Sequence, residues 1–196
     1  ARSPGVEVRP IRDIAGGLEF AEIFFTDVRV PMEHLLGEVN QGWSVAVTTL
    51  AHERVIESYE DIGELGFVID RLEDCLRLQV ASDGPSSVDA STRIHFAEIW
   101  CRFQAVRLVQ YACVRALVGT QAPPSESEVV KLVWSETAQD AARLGLALFG
   151  STASGGQADF WRWNYLNSRS LTIYAGTSEV IRSVVAERVL GLPRSR

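Results

Sequence analysis

The chain has 196 residues, of which 46% are hydrophobic and 22% are charged, and this balance excludes wholesale disorder. A net charge of −6 without a basic cluster argues against nucleic acid or an anionic membrane as the main partner. No uncharged apolar run reaches the ~18 residues that a membrane span requires.

Residues 1–37 carry β signals. Apolar and polar residues alternate from Val6 to Ile11, and the segment 20–30 is rich in β-branched and aromatic residues. Gly16-Gly17 marks a turn between these two predicted strands, and Pro31 ends the second. Two strands alone do not form a stable sheet, so we expect them to need partners from elsewhere. The start without Met, in the middle of a strand-and-turn pattern, suggests a piece of a longer protein.

Helical patterns begin at Gln41, where apolar residues start to recur at spacings of three, four and seven. They predict a first helix that runs to the loop at Asp83-Gly-Pro-Ser-Ser. Asp89 is the predicted N-cap of a second helix, which ends before the break at Gln121-Ala-Pro-Pro. Ser125-Glu-Ser-Glu128 fits a capping box and predicts a third helix up to Gly150.

The remaining segments are a predicted loop over 151–160, a short aromatic stretch over 160–165 and a last helix over 178–190 with Thr177 as its N-cap. We interpret Trp161, Trp163 and Tyr165 as packing residues at a subunit junction rather than a surface on which a cofactor stacks. Together the elements predict a mainly α fold, in which an antiparallel four-helix bundle follows a short β stub.

The three cysteines, Cys75, Cys101 and Cys113, contain no Cys-x-x-Cys pair and have no histidine at ligand spacing. We therefore expect reduced thiols in the core, no metal site and a cytoplasmic location.

The segment 171–179 is a loop with an Ala-Gly pair that runs directly into a helix N-terminus. Such an end suits an anion or an electron-rich ring, although an ordinary capped helix has the same pattern.

Three segments, in chain order, resemble the acyl-CoA dehydrogenase family. The stretch 20–31, followed by Leu36-Gly-Glu and Gly42-Trp, is similar to the exit from the family's β-domain. Leu50-Ala-His-Glu-Arg54 is similar to its first C-terminal-domain helix, and the stretch 172–179 with 186–193 is similar to its closing signature.

The resemblance implies that residues 1–37 are the incomplete end of a middle β-domain and that residues 38–196 are a C-terminal helical-bundle domain. It implies FAD as the cofactor and α,β-desaturation of an acyl-CoA thioester as the reaction. It also implies a homo- or hetero-oligomer formed through the bundle, with electron-transfer flavoprotein as the electron acceptor. Because part of the pocket would lie in the other half of such a protein, we expect the isolated chain to be inactive.

The family reaction needs a carboxylate base on the substrate face opposite the flavin. In many members this base is a Glu directly before Gly-Thr-Ser, a position that Ala175 occupies here. Other members place it in a Leu-x-x-Glu-Arg pattern on the first helix, which implies Glu53 as the base and Arg54 as the residue that orients it. The alternative for Glu53 is a salt-bridged surface residue, and we interpret the adjacent His52 as structural.

Flavin and substrate positions carry over from the same resemblance. Thr177, Ser178 and Glu179 match the positions that contact FAD, and the segment Tyr174, Ala175 and Gly176 matches the substrate loop. The usual Arg-x-x-Phe-Gly element is not visible, and the usual Gln-x-x-Gly-Gly-x-Gly is reduced to Ala147-Leu-Phe-Gly-Ser151. These departures keep open a second hypothesis, a non-catalytic subunit within a mixed oligomer. A third hypothesis is a helical interaction domain unrelated to flavoproteins, but it does not explain why the three motifs occur in the family's order.

Overall fold

The computed structural model describes residues 3–120, 122–150 and 155–194, apart from the side chain of Arg54. It divides into two units, Ala1–Leu50 and Ala51–Arg196. In the first unit, β1 (Val6–Ile11) pairs antiparallel with β2 (Phe20–Phe25), with Val6 opposite Phe25. The second strand ends at Phe25 rather than at the predicted position 30, because Asp27 adopts a left-handed φ of 49° that an extended strand does not allow.

Helices dominate the rest of the described chain. They are α1 (Gly42–Asp83), α2 (Ala90–Thr120), α3 (Ser127–Phe149), α4 (Gly156–Leu171) and α5 (Ser178–Val184), and α5 continues into a π-helical turn over Val185–Val189. Short 3-10 turns cover Met32–His34 and Pro85–Ser87. This architecture confirms the predicted mainly α fold after a short β stub.

Four helices build one buried core, which confirms the predicted bundle. The core combines apolar side chains of α1, α2, α3 and α4, among them Leu65, Ile69, Leu72, Ile99, Phe103, Val106, Val130, Trp134, Ala141 and Trp161. The pattern that predicted α1 correctly identifies its buried face from Val55 onward. It fails before that point, since Trp43 is 82% exposed and Leu50 is 54% exposed.

The helix starts test the capping predictions. The backbone N–H of Thr92 donates to Asp89 Oδ1 at 2.7 Å, so Asp89 caps α2 as predicted. The predicted capping box of Ser125 and Glu128 is wrong. Glu126 occupies the N-cap position, and Ser125 Oγ contacts Glu126 Oε2 at 3.3 Å instead. Glu128 therefore lies too early in the first turn to close a box with Ser125.

The fourth helix corrects the prediction of a loop followed by a short aromatic stretch. The helix α4 begins at Gly156, and Gly155 with φ 104° makes the turn that enters it. Residues 151–154 of the predicted loop lie outside the described residues. The Gly- and Ser-rich composition of this segment is typical of a loop, so the sequence pattern did not predict the helix. Its inner face buries Ala158 and Trp161.

The aromatic residues of α4 have different roles. Trp161 is fully buried, with its ring centroid 4.9 Å from that of Phe160, as a packing residue should be. Trp163 is 46% exposed in the single chain, so it does not pack inside the bundle, and its packing at a subunit junction stays a prediction. Tyr165 is half-buried, and the guanidinium of Arg169 lies 4.6 Å from its ring centroid.

The cysteine prediction holds for two of the three thiols. Cys75 and Cys113 are buried and free, whereas Cys101 is free and exposed on α2 and is therefore not a core thiol. Among the described residues, no helix is both long and apolar enough to cross a membrane.

Asp140 joins α2 to α3 through a charged network. Its carboxylate accepts a hydrogen bond from Arg102 and lies 3.0 Å from His95 Nε2 and 3.8 Å from Arg143 Nη1. Burial works to raise the pKa of Asp140, but the hydrogen bonds and charges of Arg102 and His95 outweigh it and hold the pKa below its ordinary value.

We expect the substitution Asp140→Asn in the full-length protein to lower the free energy of unfolding by about 1 kcal/mol at pH 7, and the unfolding midpoint to fall accordingly. A depressed carboxyl pKa stabilises the fold above the unfolded pKa of about 4, and this contribution disappears as the pH falls through the folded value. Thermal unfolding at pH 7 and pH 3 should therefore show a difference at pH 7 that shrinks at pH 3. The control Asp159→Asn removes an exposed ion pair with Arg162 and should change little. If both variants lost the same stability at pH 7, the network around Asp140 would stabilise the fold no more than an exposed ion pair does.

Candidate active site

The loop between α4 and α5 has a conformation that few residue types adopt. Ala175 has φ 52° and Gly176 has φ 107°, so two successive residues lie in the left-handed region. A Cβ at Gly176 would meet Ile181 Cγ1 at 3.3 Å, which leaves little space for a larger residue. The loop then turns into α5, where Thr177 Oγ1 accepts from the backbone N–H of Val180 at 3.3 Å. Thr177 is therefore the N-cap, as predicted.

A cleft of about 430 Å³ lies between this helix start and α3, and we call it the Ser178 cleft. Its walls combine polar and charged side chains of both elements with Ile173: Glu136, Gln139, Arg143, Thr172, Thr177, Ser178, Glu179 and Arg182. The structure thus brings Thr177, Ser178 and Glu179 into one cleft with two arginines.

Ser178 has an unusual environment within the cleft. Its side chain is only 6% exposed, and its Oγ has no hydrogen-bond partner among the described residues. A buried hydroxyl normally finds a partner, because leaving it without one costs roughly 1–3 kcal/mol. Ser178 thus lines the cleft, while its Oγ atom lies beneath the cleft surface without contact to solvent.

Charges in the Ser178 cleft are mixed. Arg182 pairs with Glu136, and Arg143 lies near Asp140. The backbone N–H of Glu179, followed by the Thr177 hydroxyl and the charge of Arg182, holds the pKa of the Glu179 carboxyl below its ordinary value. The cleft consequently offers both hydrogen-bond donors and acceptors rather than a single sign of charge.

The predicted base lies on α1, on a face that carries further acids. Glu53, Glu57 and Asp61 follow one another at intervals of four residues, which places them on one side of the helix. Glu53 is exposed, and its carboxyl is within hydrogen-bonding reach of Glu57. Burial, followed by this contact and the charges of Glu53 and Glu60, raises the pKa of Glu57. The predicted role of Arg54 concerns a side chain that lies outside the described residues.

Asp61 is the residue of this helix face that lies nearest the loop between α4 and α5. The Tyr174 hydroxyl lies close enough to the Asp61 carboxyl for each group to affect the pKa of the other. Burial, helped by the charges of Glu64 and Glu57, raises the pKa of Asp61 to about 7, although Lys131 and the Tyr174 hydroxyl oppose the shift. Burial and the neighbouring acids also raise the pKa of Tyr174, which therefore keeps its proton and acts as a donor.

Lys131 completes this cluster from α3. Its side chain is 2% exposed, and its Nζ donates to the backbone oxygen of Leu171 at 2.5 Å. The same Nζ lies 5.5 Å from the ring centroid of Tyr174 and 5.8 Å from that of Trp134. A buried ammonium needs acceptors and opposite charge nearby, and the Leu171 carbonyl and Asp61 supply them.

A mainly apolar cavity of about 440 Å³ borders Asp61. The cavity lies between α1, α3 and α4, with walls that include Leu65, Phe67, Val68, Trp134, Phe160 and Leu171. Because such surroundings disfavour a charged carboxylate, they raise the pKa of Asp61.

Sequence reasoning missed Glu57, Asp61 and Lys131. The spacing of four residues from Glu53 was a signal for the two acids. Lys131 was visible as the single lysine among 19 basic residues. Among the described residues, no group of three or more potential His, Cys, Asp or Glu ligands is arranged to hold a metal ion.

Comparison with known proteins gives consistent results. The family described as "Acyl-CoA dehydrogenase, C-terminal domain" matches residues 40–190. The chain is 34% identical over 194 residues to the acyl-CoA dehydrogenase IpdE1 of Mycobacterium tuberculosis, which covers 97% of this chain and 49% of that protein. It is also 34% identical over 192 residues to the acyl-CoA dehydrogenase FadE34 of the same organism, with 98% and 26% covered. The chain thus spans about half, or less, of the length of these relatives.

Solved structures show the same fold at lower identity. A glutaryl-coenzyme A dehydrogenase in complex with glutaryl-CoA superposes with a TM-score of 0.84 at 16% identity, over 98% of this chain and 49% of that one. The Tcur3481-Tcur3483 steroid ACAD superposes with a TM-score of 0.80 at 23% identity, over 98% and 50%. In both, the likeness extends over nearly the whole of this chain.

Proposed function

This chain belongs to the acyl-CoA dehydrogenase family, and on that premise we propose that it is the C-terminal portion of an FAD-dependent enzyme that desaturates an acyl-CoA thioester between its α and β carbons. The observation that carries the proposal is the position of Glu53. It presents an exposed carboxylate on the α1 face that also carries Asp61, which meets the substrate loop at Tyr174. The position before Gly176, where many members have their base, holds the unionisable Ala175.

Glu53 has the chemistry that proton abstraction requires. In the proposed reaction its carboxylate takes the proton from the α-carbon of the thioester. The neighbouring Glu57 lies on the same helix face, and burial, followed by the contact with Glu53, raises the pKa of the Glu57 carboxyl. We propose that the bound acyl-CoA and the rest of the full-length protein cover Glu53 and exclude water from it, which makes the carboxylate a stronger base.

FAD is the cofactor of the family, and the residues of the Ser178 cleft fit such a ligand. The unpartnered Ser178 Oγ, the Thr177 hydroxyl and the guanidinium of Arg143 are suited to the hydroxyl and phosphate oxygens of a dinucleotide. The bound flavin would supply the acceptor for the hydride that leaves the β-carbon. In this proposal Thr177, Ser178 and Glu179 bind and orient the cofactor.

Further parts of the proposal concern the whole protein. We place residues 1–37 at the end of a β-domain and residues 38–196 in the helical-bundle domain. Tyr174, Ala175 and Gly176 would contact the acyl-CoA substrate, and Arg54 would orient Glu53. We propose that the full-length protein is a homo- or hetero-oligomer in the cytoplasm that passes its electrons to electron-transfer flavoprotein.

The direct test uses the purified full-length protein. We expect it to bind FAD, to show flavin absorbance that bleaches when an acyl-CoA is added without oxygen, and to reduce a dye acceptor with formation of the enoyl-CoA. Straight-chain, branched and ring-bearing acyl-CoA thioesters should be compared. Flavin binding without bleaching by any of them would contradict the proposed reaction, and no flavin binding would favour a non-catalytic subunit.

We expect the substitution Ser178→Ala to weaken FAD binding about two- to tenfold, which corresponds to the loss of one hydrogen bond of about 0.5–1.5 kcal/mol. The variant should unfold at the same temperature or slightly higher, because it removes a buried hydroxyl that has no partner among the described residues. Titration of the full-length apoprotein with FAD, followed by flavin fluorescence, measures the affinity.

The matched control is Ser183→Ala on the same helical segment. Its hydroxyl is exposed and donates to the backbone oxygen of Glu179 at 3.2 Å, so its loss should leave FAD affinity unchanged. If Ser178→Ala binds FAD as tightly as the wild type, Ser178 is not a cofactor contact.

A further inference from the structure

Gln110 is a buried polar residue that joins α2 to α1. Its side chain is 2% exposed, and its Nε2 donates a hydrogen bond to the backbone oxygen of Val55 at 2.6 Å. Val55 is itself fully buried and belongs to α1. The bond therefore connects the two helices inside the bundle, in surroundings that strengthen a hydrogen bond.

This bond reaches α1 close to the proposed base. Glu53 precedes Val55 by two residues, which is about 3 Å along the helix axis. Successive residues of a helix turn by about 100°, so the two side chains point to different sides of α1. Glu53 is accordingly exposed, whereas Val55 is buried. Gln110 thus holds the buried side of the same helical turn whose outer side carries Glu53.

The core of the bundle begins at this turn of α1. Among the described residues, the buried core cluster of α1 starts at Val55, whereas Leu50 is 54% exposed. The contact at Val55 therefore governs how the segment with Glu53 leaves the core. A rotation of α1 by about 10° about its axis would move a side chain at a radius of about 6 Å by about 1 Å. A displacement of about 1 Å in a catalytic group can cost about two orders of magnitude in rate.

Stability alone does not explain a glutamine at position 110. Its Oε1 is buried and has no hydrogen-bond partner among the described residues. The Val55 oxygen lies inside α1 and so also accepts from the backbone N–H four residues on, which gives it a partner without Gln110. An apolar side chain of similar length would remove a buried unpartnered atom and leave this carbonyl satisfied, which is neutral or favourable for folding. A polar group that folding does not require is expected where function requires it.

We infer that Gln110 is a positioning residue, which fixes the rotation of α1 at Val55 and thereby the place of the Glu53 carboxylate. This inference rests on the proposed function for its effect on the reaction. Its structural part, the placement of residues 51–55 by Gln110, does not depend on the reaction. Gln110 acts through the backbone of α1 and does not take or give a proton.

The test uses the full-length protein with the substitutions Gln110→Met and Gln110→Leu, which differ in shape but both lack the donor. We expect kcat of both variants to fall at least about tenfold with KM changed less than about threefold, because Glu53 acts in the chemical step. The unfolding midpoint should stay unchanged or rise. In the background of Glu53→Gln, the substitution Gln110→Met should lower the remaining rate no further, because Gln110 acts through Glu53.

Gln157→Met is the matched control. Gln157 on α4 also donates from its Nε2 to α1, where Cys75 Sγ accepts at 2.7 Å. This contact lies about 33 Å along the axis of α1 from Glu53. The same substitution here removes a bond between two helices without reaching the turn that carries Glu53, so kcat should stay within about twofold of the wild type.

Crystal structures of the full-length variants give a measurement that does not depend on activity. In Gln110→Met, the Cα atoms of residues 51–55 should move by about 1 Å relative to α3 and α4. In Gln157→Met, the same atoms should stay in place.

The outcomes separate the possible failures. Unmoved Cα atoms in Gln110→Met, wild-type kcat in either Gln110 variant, a further loss in the Glu53→Gln background or an equal loss in Gln157→Met would each overturn the inference. An unfolding midpoint of Gln110→Met below that of Gln157→Met would make the bond a contribution to folding and overturn it too. Displaced residues 51–55 in a protein whose wild type desaturates no acyl-CoA would support the placement by Gln110 and refute the proposed function instead.

Discussion

The substitution Glu53→Gln in the full-length protein is expected to lower the rate of acyl-CoA desaturation by a factor of about 10²–10⁴. Glutamine keeps the size of the side chain and its hydrogen-bonding capacity but cannot take a proton. Because Glu53 is exposed, the change should leave the unfolding midpoint and FAD affinity as they are. The loss should appear in kcat, since the proton moves only in the chemical step.

Two further variants make this result specific. Asp70→Asn neutralises another exposed acid of α1 and should leave the rate unchanged. Glu57→Gln should lower the rate less than Glu53→Gln, because Glu57 does not take the proton in the proposed reaction. A Glu53→Gln variant with wild-type turnover would exclude Glu53 as the base, and a larger loss in Glu57→Gln would transfer that role to Glu57.

The elements that sequence reasoning predicted correctly depend on local chemistry. Asp89 and Thr177 cap their helices because an N-cap needs only a side-chain oxygen and a backbone N–H three residues on. The helix α4 could not be predicted in this way. Its Gly- and Ser-rich approach is typical of a loop, and what stabilises it is the burial of Ala158 and Trp161 among side chains distant in the sequence.

The residues of the candidate site also differ in whether the local sequence or only the folded structure reveals them. The roles of Glu53 and of the segment 174–179 were implied by the resemblance of short sequence motifs to the family. The Asp61–Tyr174–Lys131 cluster was not, because α1, α3 and the α4–α5 loop come together only in the folded bundle. The lack of a hydrogen-bond partner for Ser178 Oγ could not be predicted either, because it depends on the side chains packed around the start of α5 and not on the residue type.

The substitution Gly145→Ala, which adds one methyl group, is expected to destabilise the helical bundle strongly. A Cβ at Gly145 would lie 2.1 Å from Trp161 Cε3 and 2.3 Å from Cζ3, far inside van der Waals contact. The ring cannot move aside easily, since Trp161 is fully buried with the Phe160 ring centroid at 4.9 Å and that of Phe149 at 6.3 Å. Overpacking of this kind costs about 3 kcal/mol, so the free energy of unfolding and the unfolding midpoint of the full-length protein should both fall.

Gly63→Ala is the matched control for this prediction. Gly63 also lies inside a helix, but nothing lies within 4 Å of a Cβ placed there. Alanine is the better helix former by about 1 kcal/mol, so this variant should unfold at a slightly higher temperature than the wild type. Opposite shifts from the same chemical change would identify the close approach of Trp161 as the cause.

A second substitution tests whether the indole ring is the obstacle. In a Trp161→Phe background the six-membered ring of Trp161 that meets the new Cβ is gone, and Gly145→Ala should then cost much less than in the wild type. The two changes are in direct contact, so their effects on the unfolding midpoint should be strongly non-additive. Additive shifts would mean that Gly145 is required for its backbone rather than for the space it leaves, and that α4 does not depend on the packing of Trp161 against α3.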